Sequence, residues 1–185
     1  MASILVLFAH PALEKSRVHR RLLDAAAGLP GVYVHDLYEA YPDFDIDVRR
    51  EQELLLTHPV ILLQYPLYWY STPAILKQWQ DLVLEHGWAY GRAGTRLRGK
   101  RLQVVTSAGG GAQAYQPGGF NAHPVTDFLF PVEQTARLCG MEWLPPYVVL
   151  GSHRMELPEI DAAAAAYRRH LEQLRDTLPV PAEAP

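Results

Sequence analysis

A loop rich in aromatic residues and proline is the part of this sequence best suited to bind a flat ligand. It occupies residues 64–73 (Gln-Tyr-Pro-Leu-Tyr-Trp-Tyr-Ser-Thr-Pro), between an apolar run at 59–63 and a helical pattern at 74–85. Because proline restricts φ and keeps the preceding residue extended, this loop should be stiff. A stiff loop that offers aromatic rings and backbone groups suits a conjugated ring system. The alternative is that these aromatic side chains only cap the core.

The loop at residues 10–16 has a basic end that could bind a phosphate. Ser16 is a good N-cap residue for a helical pattern at 17–27, and Lys15 and Arg17 add positive charge. The free N–H groups and the dipole of a helix N-terminus favour an anion. The loop contains no glycine, so it is neither a P-loop nor a dinucleotide-binding fingerprint. An ordinary capped helix with solvated charges is the alternative.

A glycine-rich loop at residues 107–123 is the third candidate. Its beginning, Ser-Ala-Gly-Gly-Gly, lets the backbone approach a ligand closely, because glycine has no Cβ and tolerates positive φ. The N–H groups there could bond the carbonyl edge of a polar ring. Tyr115 and His123 follow, and either could donate a hydrogen bond or a proton to a reacting oxygen. The alternatives are a flexible lid and a structural histidine.

The elements that must position these loops follow from the pattern of apolar residues. Unalternating apolar runs predict strands at residues 3–8, 32–36, 59–63, 101–106 and within 143–150. Helical patterns are found at residues 17–27, 48–57, 74–85, 124–139 and 156–177, whereas 37–47 reads as an irregular acidic segment.

The alternation of strands and helices predicts an α/β fold with a parallel sheet and helices on both faces. Five strands in 185 residues suit a flavodoxin-like three-layer sandwich with strand order 2-1-3-4-5. In that order, the three loops meet at one edge of the sheet. We expect a single domain over residues 1–178 and a frayed Pro/Ala-rich tail at 179–185.

Composition excludes several classes of function. The formal net charge of −3 gives no broad basic field for nucleic acid or anionic lipid. A single cysteine, Cys139, excludes an internal disulfide and is expected to be a small core residue. No spacing of ligands matches a metal site, and no Gly-x-Ser-x-Gly elbow favours a hydrolase. The short apolar run at the start predicts a strand rather than a signal peptide, so we expect a cytoplasmic location.

Several motifs occur in an order that resembles a known family. These are Ala9-His10-Pro11, the end of the first loop at 16–19, the acidic segment at 38–47, the aromatic loop at 66–73, Glu-His-Gly-Trp-Ala-Tyr-Gly at 85–91, the glycines at 109–111 and Cys139-Gly140-Met141. They resemble the NAD(P)H:quinone oxidoreductase family of flavodoxin-like flavoproteins. The closest likeness is to its small bacterial branch, which includes ancillary oxidoreductases of glutathione-regulated potassium efflux.

The resemblance implies a bound flavin and assigns residues to it. FMN is expected, because the larger members that use FAD have a C-terminal extension, although FAD is found in some small relatives. By motif position, the phosphate and ribityl chain would be held by His10, Ser16, Arg17, Val18 and His19. The isoalloxazine would lie along Pro66, Leu67, Tyr68, Trp69 and Tyr70, and its polar edge would bond Thr106, Ser107, Ala108, Gly109 and Gly110. Tyr115 matches the family's active-site tyrosine, and His123 is a looser match.

The resemblance also implies a mechanism and partners. NAD(P)H would reduce the flavin by hydride transfer, and the nicotinamide would then leave. A quinone would take its place beside the flavin and accept two electrons, which is a ping-pong sequence. A homodimer is expected, with the helix face that carries Trp79 or the segment at 86–90 at the interface. The alternative is a regulatory subunit that binds a potassium-efflux transporter and is peripheral at the inner membrane. A plain flavodoxin-like electron carrier is a third hypothesis.

Overall fold

The structure is a computed structural model that describes residues 3–177. Within that range, six parallel strands form one sheet: β1 (Ile4–Phe8), β2 (Val32–Asp36), β3 (Val60–Pro66), β4 (Arg101–Ala108), β5 (Glu142–Trp143) and β6 (Tyr147–Leu150). The order is β2-β1-β3-β4-β5, and β6 also pairs with β4. The predicted flavodoxin-like order is therefore confirmed.

The fifth position of the sheet holds two short strands where the sequence predicted one. Pro145 and Pro146 lie between β5 and β6, and proline has no N–H to donate to a strand ladder. The side chain of Gln103 on β4 instead donates a hydrogen bond of 2.6 Å to the Pro145 carbonyl. This bond replaces a ladder contact at the break.

Helices cover both faces of the sheet. Over the described range they are α1 (Val18–Ala26), α2 (Leu37–Ala40), α3 (Val48–Thr57), α4 (Ala74–Val83), α5 (Val125–Leu138) and α6 (Leu157–Asp176). The short α2 corrects the prediction of an irregular segment at 37–47, because the Asp36 carboxylate caps its first N–H groups. No helix among residues 3–177 combines the length and apolar composition needed to cross a bilayer.

Successive side chains of the central strands point to opposite faces of the sheet and pack into two separate hydrophobic cores. Leu5 and Leu7 of β1 join the core beneath α3, α4 and α5, whereas Ile4 and Val6 join the core beneath α1 and α6. Burying one such side chain stabilises the fold by about 1.5–3 kcal/mol. Cys139 is also buried, which confirms the predicted core position, and burial raises the pKa of its thiol to about 11.

A buried carboxylate ties β2 to α3 and α4. Glu51 is fully buried and accepts hydrogen bonds from His35 Nε2 at 2.7 Å, the Tyr41 hydroxyl at 2.6 Å and Trp79 Nε1 at 2.8 Å. Burial alone would raise the pKa of Glu51, but these donors lower it below its usual value. Trp79 is only 2% exposed, so the predicted contribution of this side chain to a dimer interface is wrong.

The predicted tail at 179–185 lies outside the described residues. A single domain over residues 1–178 stays a prediction.

Candidate functional site

Three loops meet at the carboxyl edge of the sheet, where the strand order places them. Both β3 and β4 extend further than predicted, so residues 64–66 and 107–108 belong to strand ends rather than to loops. The Leu67 N–H donates to the Ser107 carbonyl at 2.8 Å, and this bond joins the aromatic loop to the glycine loop. The two loops therefore leave the sheet side by side.

A cleft of about 210 Å³ opens beside the N-terminus of α1, and we call it the basic cleft. Its lining comprises His10, Lys15, Ser16, Arg17, Val18, Pro66, Tyr68, Ser107, Ser152 and His153. The Ser16 hydroxyl accepts the His19 N–H at 3.1 Å, so the predicted N-cap is confirmed. The charged Lys15 and Arg17 are exposed at the mouth of the cleft. Positive charge and a helix N-terminus together favour an anion there.

Two histidines support this cleft in different ways. His10 lines it, and its Nδ1 accepts the Ala12 N–H at 3.1 Å, which leaves Nε2 as the N–H donor of the neutral ring. His19 lies behind the cleft with its Nε2 3.0 Å from the Ser107 hydroxyl. Burial, with a smaller effect of the neighbouring His10, lowers the pKa of His19 to about 3, so this ring is neutral at physiological pH.

A second cleft of about 360 Å³ lies between the aromatic loop and the glycine loop, and we call it the aromatic cleft. Its lining comprises Leu67, Trp69, Tyr70, Gly109, Gly110, Ala114, Tyr115, Phe120, Asn121 and His153. Trp69 and Phe120 are 93% and 92% exposed at its rim. Trp69 and Tyr70 adopt left-handed backbone conformations, with φ of 49° and 62°, which aromatic residues seldom do. Strain of this kind clusters at binding sites.

Gly109 and Gly110 form one wall of the aromatic cleft, and we call it the glycine wall. A Cβ on Gly110 would lie 3.1 Å from Cε2 of Tyr115, and a Cβ on Gly109 would collide with the ring of His153. The missing Cβ atoms let the rings of His153 and Tyr115 pack close to the backbone of this wall. Thr106 and Ala108, also predicted to bond the ligand, are buried in β4 and line neither cleft.

His153 is shared by both clefts and was missed by the sequence analysis. It follows β6, where the Gly151 N–H donates to the Gly110 carbonyl at 2.9 Å and the Ser152 N–H to the Ala108 carbonyl at 3.1 Å. These bonds fix the loop of His153 against the glycine wall. The signal was available, because the loop after the fifth strand opens on the same edge as the other three.

The two predicted catalytic residues have different positions. Tyr115 lines the aromatic cleft, and burial, with a smaller effect of Tyr70, raises the pKa of its hydroxyl, which stays protonated and able to donate. His123 does not line either cleft, and its side chain is 62% exposed with Nδ1 3.1 Å from a carboxylate oxygen of Asp127. The structure therefore brings Tyr115 to the site but not His123.

The fold and the clefts define a class: a flavodoxin-like α/β protein whose ligand site lies at the strand ends beside the N-terminus of α1. Its basic end and its aromatic end fit a phosphorylated ring compound such as a flavin nucleotide. Within residues 3–177, no cluster of His, Cys, Asp and Glu side chains is arranged to hold a metal ion.

Comparison with known proteins identifies the family. The family described as Flavodoxin-like fold matches residues 2–171, and the chain belongs to it. The glutathione-regulated potassium-efflux system ancillary protein KefG of Cronobacter sakazakii is 46% identical over 92% of this chain and 92% of its own length. This relative confirms the resemblance to the potassium-efflux branch.

Two solved structures are similar throughout. General stress protein 14 from Treponema denticola, in complex with FMN, aligns with a TM-score of 0.89 at 36% identity and covers 93% of this chain and 99% of its own. An NADPH-quinone reductase from P. pentosaceus aligns with a TM-score of 0.82 at 33% identity, over 91% and 96% of the two chains.

Proposed function

We propose that this protein is an FMN-dependent NAD(P)H:quinone oxidoreductase. The observation that carries the proposal is the pair of clefts joined at His153, one basic and beside a capped helix, the other flat and aromatic. Their chemistry matches the phosphate and the ring of a flavin mononucleotide. The FMN complex of general stress protein 14 and the quinone reductase from P. pentosaceus support it.

The basic cleft would hold the phosphate and the ribityl chain. The Ser16 hydroxyl caps the His19 N–H, whereas other N–H groups in the first turn of α1 have no acceptor within the helix and could bond a phosphate. Lys15 and Arg17 supply positive charge at the same cleft. His10 offers its Nε2 N–H to the same cleft. Buried and neutral, His19 holds the Ser107 hydroxyl in place rather than contacting the ligand.

The aromatic cleft would hold the ring and the substrates. When bound, FMN would supply the two-electron hydride chemistry, which no side chain of this protein can provide. Residues 67–70 would lie along the ring, and the glycine wall lets backbone approach its polar edge. Tyr115 would donate a hydrogen bond to a reacting oxygen. NAD(P)H and quinone would occupy the cleft in turn, which is the ping-pong sequence.

A homodimer is part of the proposal. Trp69 and Phe120 leave almost all of their surface exposed in the single chain, on the rim of the aromatic cleft. Large exposed aromatic side chains at a cleft are typical of an interface. A second copy that covers them would also close the cleft against water.

The second candidate function is that of an ancillary subunit of a potassium-efflux transporter. It is favoured by the 46% identity to KefG. In this role the cytoplasmic protein would be peripheral at the inner membrane through its partner. A pull-down with the cytoplasmic domain of the transporter tests this role, and turnover by the isolated protein tests the first. The two roles are compatible.

The decisive experiment starts with the visible absorption spectrum of the purified protein and mass spectrometry of the cofactor released by heat. Oxidation of NADH and NADPH is then followed with 1,4-benzoquinone as acceptor. A flavin spectrum, released FMN and quinone-dependent oxidation are expected. Released FAD would correct the cofactor, whereas a flavin protein that does not oxidise NAD(P)H would be an electron carrier. A colourless protein that takes up no FMN would overturn the proposal.

A further inference from the structure

Asn121 presents an unused hydrogen-bond donor to the aromatic cleft. It lines the cleft, and its Oδ1 accepts the Tyr70 hydroxyl at 3.1 Å. Its Nδ2 donates no hydrogen bond to any residue in the described part of the chain and lies 3.7 Å from the point where a Cβ on Gly110 would stand. The amide N–H₂ therefore faces the space beside the glycine wall.

The backbone holds this side chain in place. The Asn121 N–H donates to the Ala114 carbonyl at 2.9 Å, so the turn is tied back to the residue that precedes Tyr115. The next residue, Ala122, has a left-handed backbone with φ of 59°. That turn directs His123 outward, where it meets Asp127 at the surface. The same local geometry thus brings Asn121 into the cleft and takes His123 out of it.

The cleft consequently offers two uncharged donors side by side. The ring of Tyr115 and Nδ2 of Asn121 both lie within 4 Å of the same point above Gly110. A hydroxyl and an amide that line the same cleft suit a carbonyl oxygen of a flat ring, since both donate without adding charge. The Oδ1 atom accepts from the Tyr70 hydroxyl, and Nδ2 is the amide atom beside the glycine wall.

We propose that Asn121, rather than His123, is the second hydrogen-bonding residue of the site and donates from Nδ2 to a carbonyl oxygen of the bound ring. This inference rests on the proposed function, because the ring is either the flavin or the quinone. Tyr70 then acts as a positioning residue that orients the amide.

The test uses Asn121→Asp in the full chain. Aspartate keeps the oxygen that accepts from Tyr70 but has no N–H donor, and it places a negative charge near the carbonyl oxygen. FMN affinity is measured by fluorescence titration of flavin-free protein, and KM and kcat with 1,4-benzoquinone. If the oxygen belongs to the flavin, the FMN Kd rises on the order of tenfold. If it belongs to the quinone, the quinone KM rises by that factor and the FMN Kd stays unchanged.

His123→Asn and Tyr70→Phe are the comparison variants. His123→Asn is expected to change the FMN Kd and the quinone KM by less than twofold. Tyr70→Phe is expected to raise whichever of these two constants Asn121→Asp raises, but by a smaller factor. The inference is overturned if Asn121→Asp behaves as wild type, or if His123→Asn causes the larger loss. Thermal unfolding of each variant separates loss of the donor from loss of the fold. A wild-type protein that binds no FMN would instead refute the proposed function itself.

Discussion

The sharpest prediction for a single residue concerns Gly110. Replacing it with valine fills the space beside Tyr115 that a bound ring needs, because even a Cβ there would lie 3.1 Å from the tyrosine ring. We expect Gly110→Val to fold but to lose FMN, as measured by the 450 nm absorbance per chain. Gly111→Ala is the matched control, since a Cβ on Gly111 meets nothing within 4 Å. Normal flavin content in the valine variant would refute the proposed position of the ring.

Tyr115 tests the chemistry of the same cleft. Tyr115→Phe removes only the hydroxyl, whose raised pKa keeps it protonated at neutral pH. We expect turnover to fall on the order of 10- to 100-fold while FMN stays bound. Stopped-flow rates and flavin content separate the two effects. Loss of the flavin together with turnover would show that Tyr115 is structural.

The residues of the site were only partly predictable. Tyr115 and the glycine wall follow from residue type and from their place after a strand. Asn121 was missed because an asparagine is not a usual acid or base in catalysis. His123, two residues later, is a usual one and was therefore predicted as the second residue of the site. The left-handed backbone of Ala122 decided between them, and alanine gives no sign of positive φ in a sequence.

The Ser16 cap links stability to ligand binding at the scale of one helix. Ser16→Ala removes the acceptor for the His19 N–H and should lower the free energy of unfolding by about 1 kcal/mol. Under the proposed function it should also weaken FMN binding more than riboflavin binding, because only FMN places a phosphate at this helix end. Urea unfolding and fluorescence titration measure the two effects. Thr126→Ala, at an exposed position in α5, is the control. Equal losses for both ligands would argue against a phosphate at α1.

The buried Glu51 joins α3 and α4 to β2, so its replacement should lower the free energy of unfolding more than the loss of an exposed ion pair does. Glu51→Gln replaces one of the two acceptor oxygens with an NH₂ group, so at least one of the three donors loses its acceptor, and it should cost about 3 kcal/mol of unfolding free energy at pH 7. Breaking the exposed pair with Lys77→Met should cost less than about 0.5 kcal/mol. Urea unfolding measures both, and equal costs would show that the buried network adds nothing.

The same residue sets a pH dependence. The pKa of Glu51 is lower in the folded than in the unfolded protein, so its stabilising effect is complete above the usual value of 4.5. It is lost as pH falls through the lower pKa of the folded state. The stability gap between wild type and Glu51→Gln should therefore narrow below pH 4.5. A gap that stays constant down to pH 3 would contradict the ionised state of Glu51.

The order and type of most elements were predictable, whereas their ends were not. Unalternating apolar runs located the central strands β1, β3 and β4, since strands buried on both faces leave no other pattern. The predicted strands ended too early, before Gln64 and Ser107, because the polar side chains there are buried in strands that continue to the site. Pro145 and Pro146 split the last strand, because proline has no N–H to donate to the neighbouring strand. The pattern of apolar residues alone does not reveal this break.

The chain as a whole leaves its aromatic cleft open to water, and this argues for a second copy. Trp69 and Phe120 are almost fully exposed at the rim. We expect the wild type to be a dimer by analytical ultracentrifugation. Phe120→Glu should shift it towards monomer, because a charge is costly to bury in an interface without a partner.

The position of the mutation should matter as much as its charge. Leu138→Glu places the same charge on another exposed apolar residue, at the far end of α5 and about 20 Å from its first turn, and should leave the dimer intact. Turnover should fall with the dimer in Phe120→Glu and persist in Leu138→Glu. A wild type that is monomeric yet fully active would mean that the site needs no second copy. The exposed rim would then be available to a different protein, and a transporter domain would be the first partner to test.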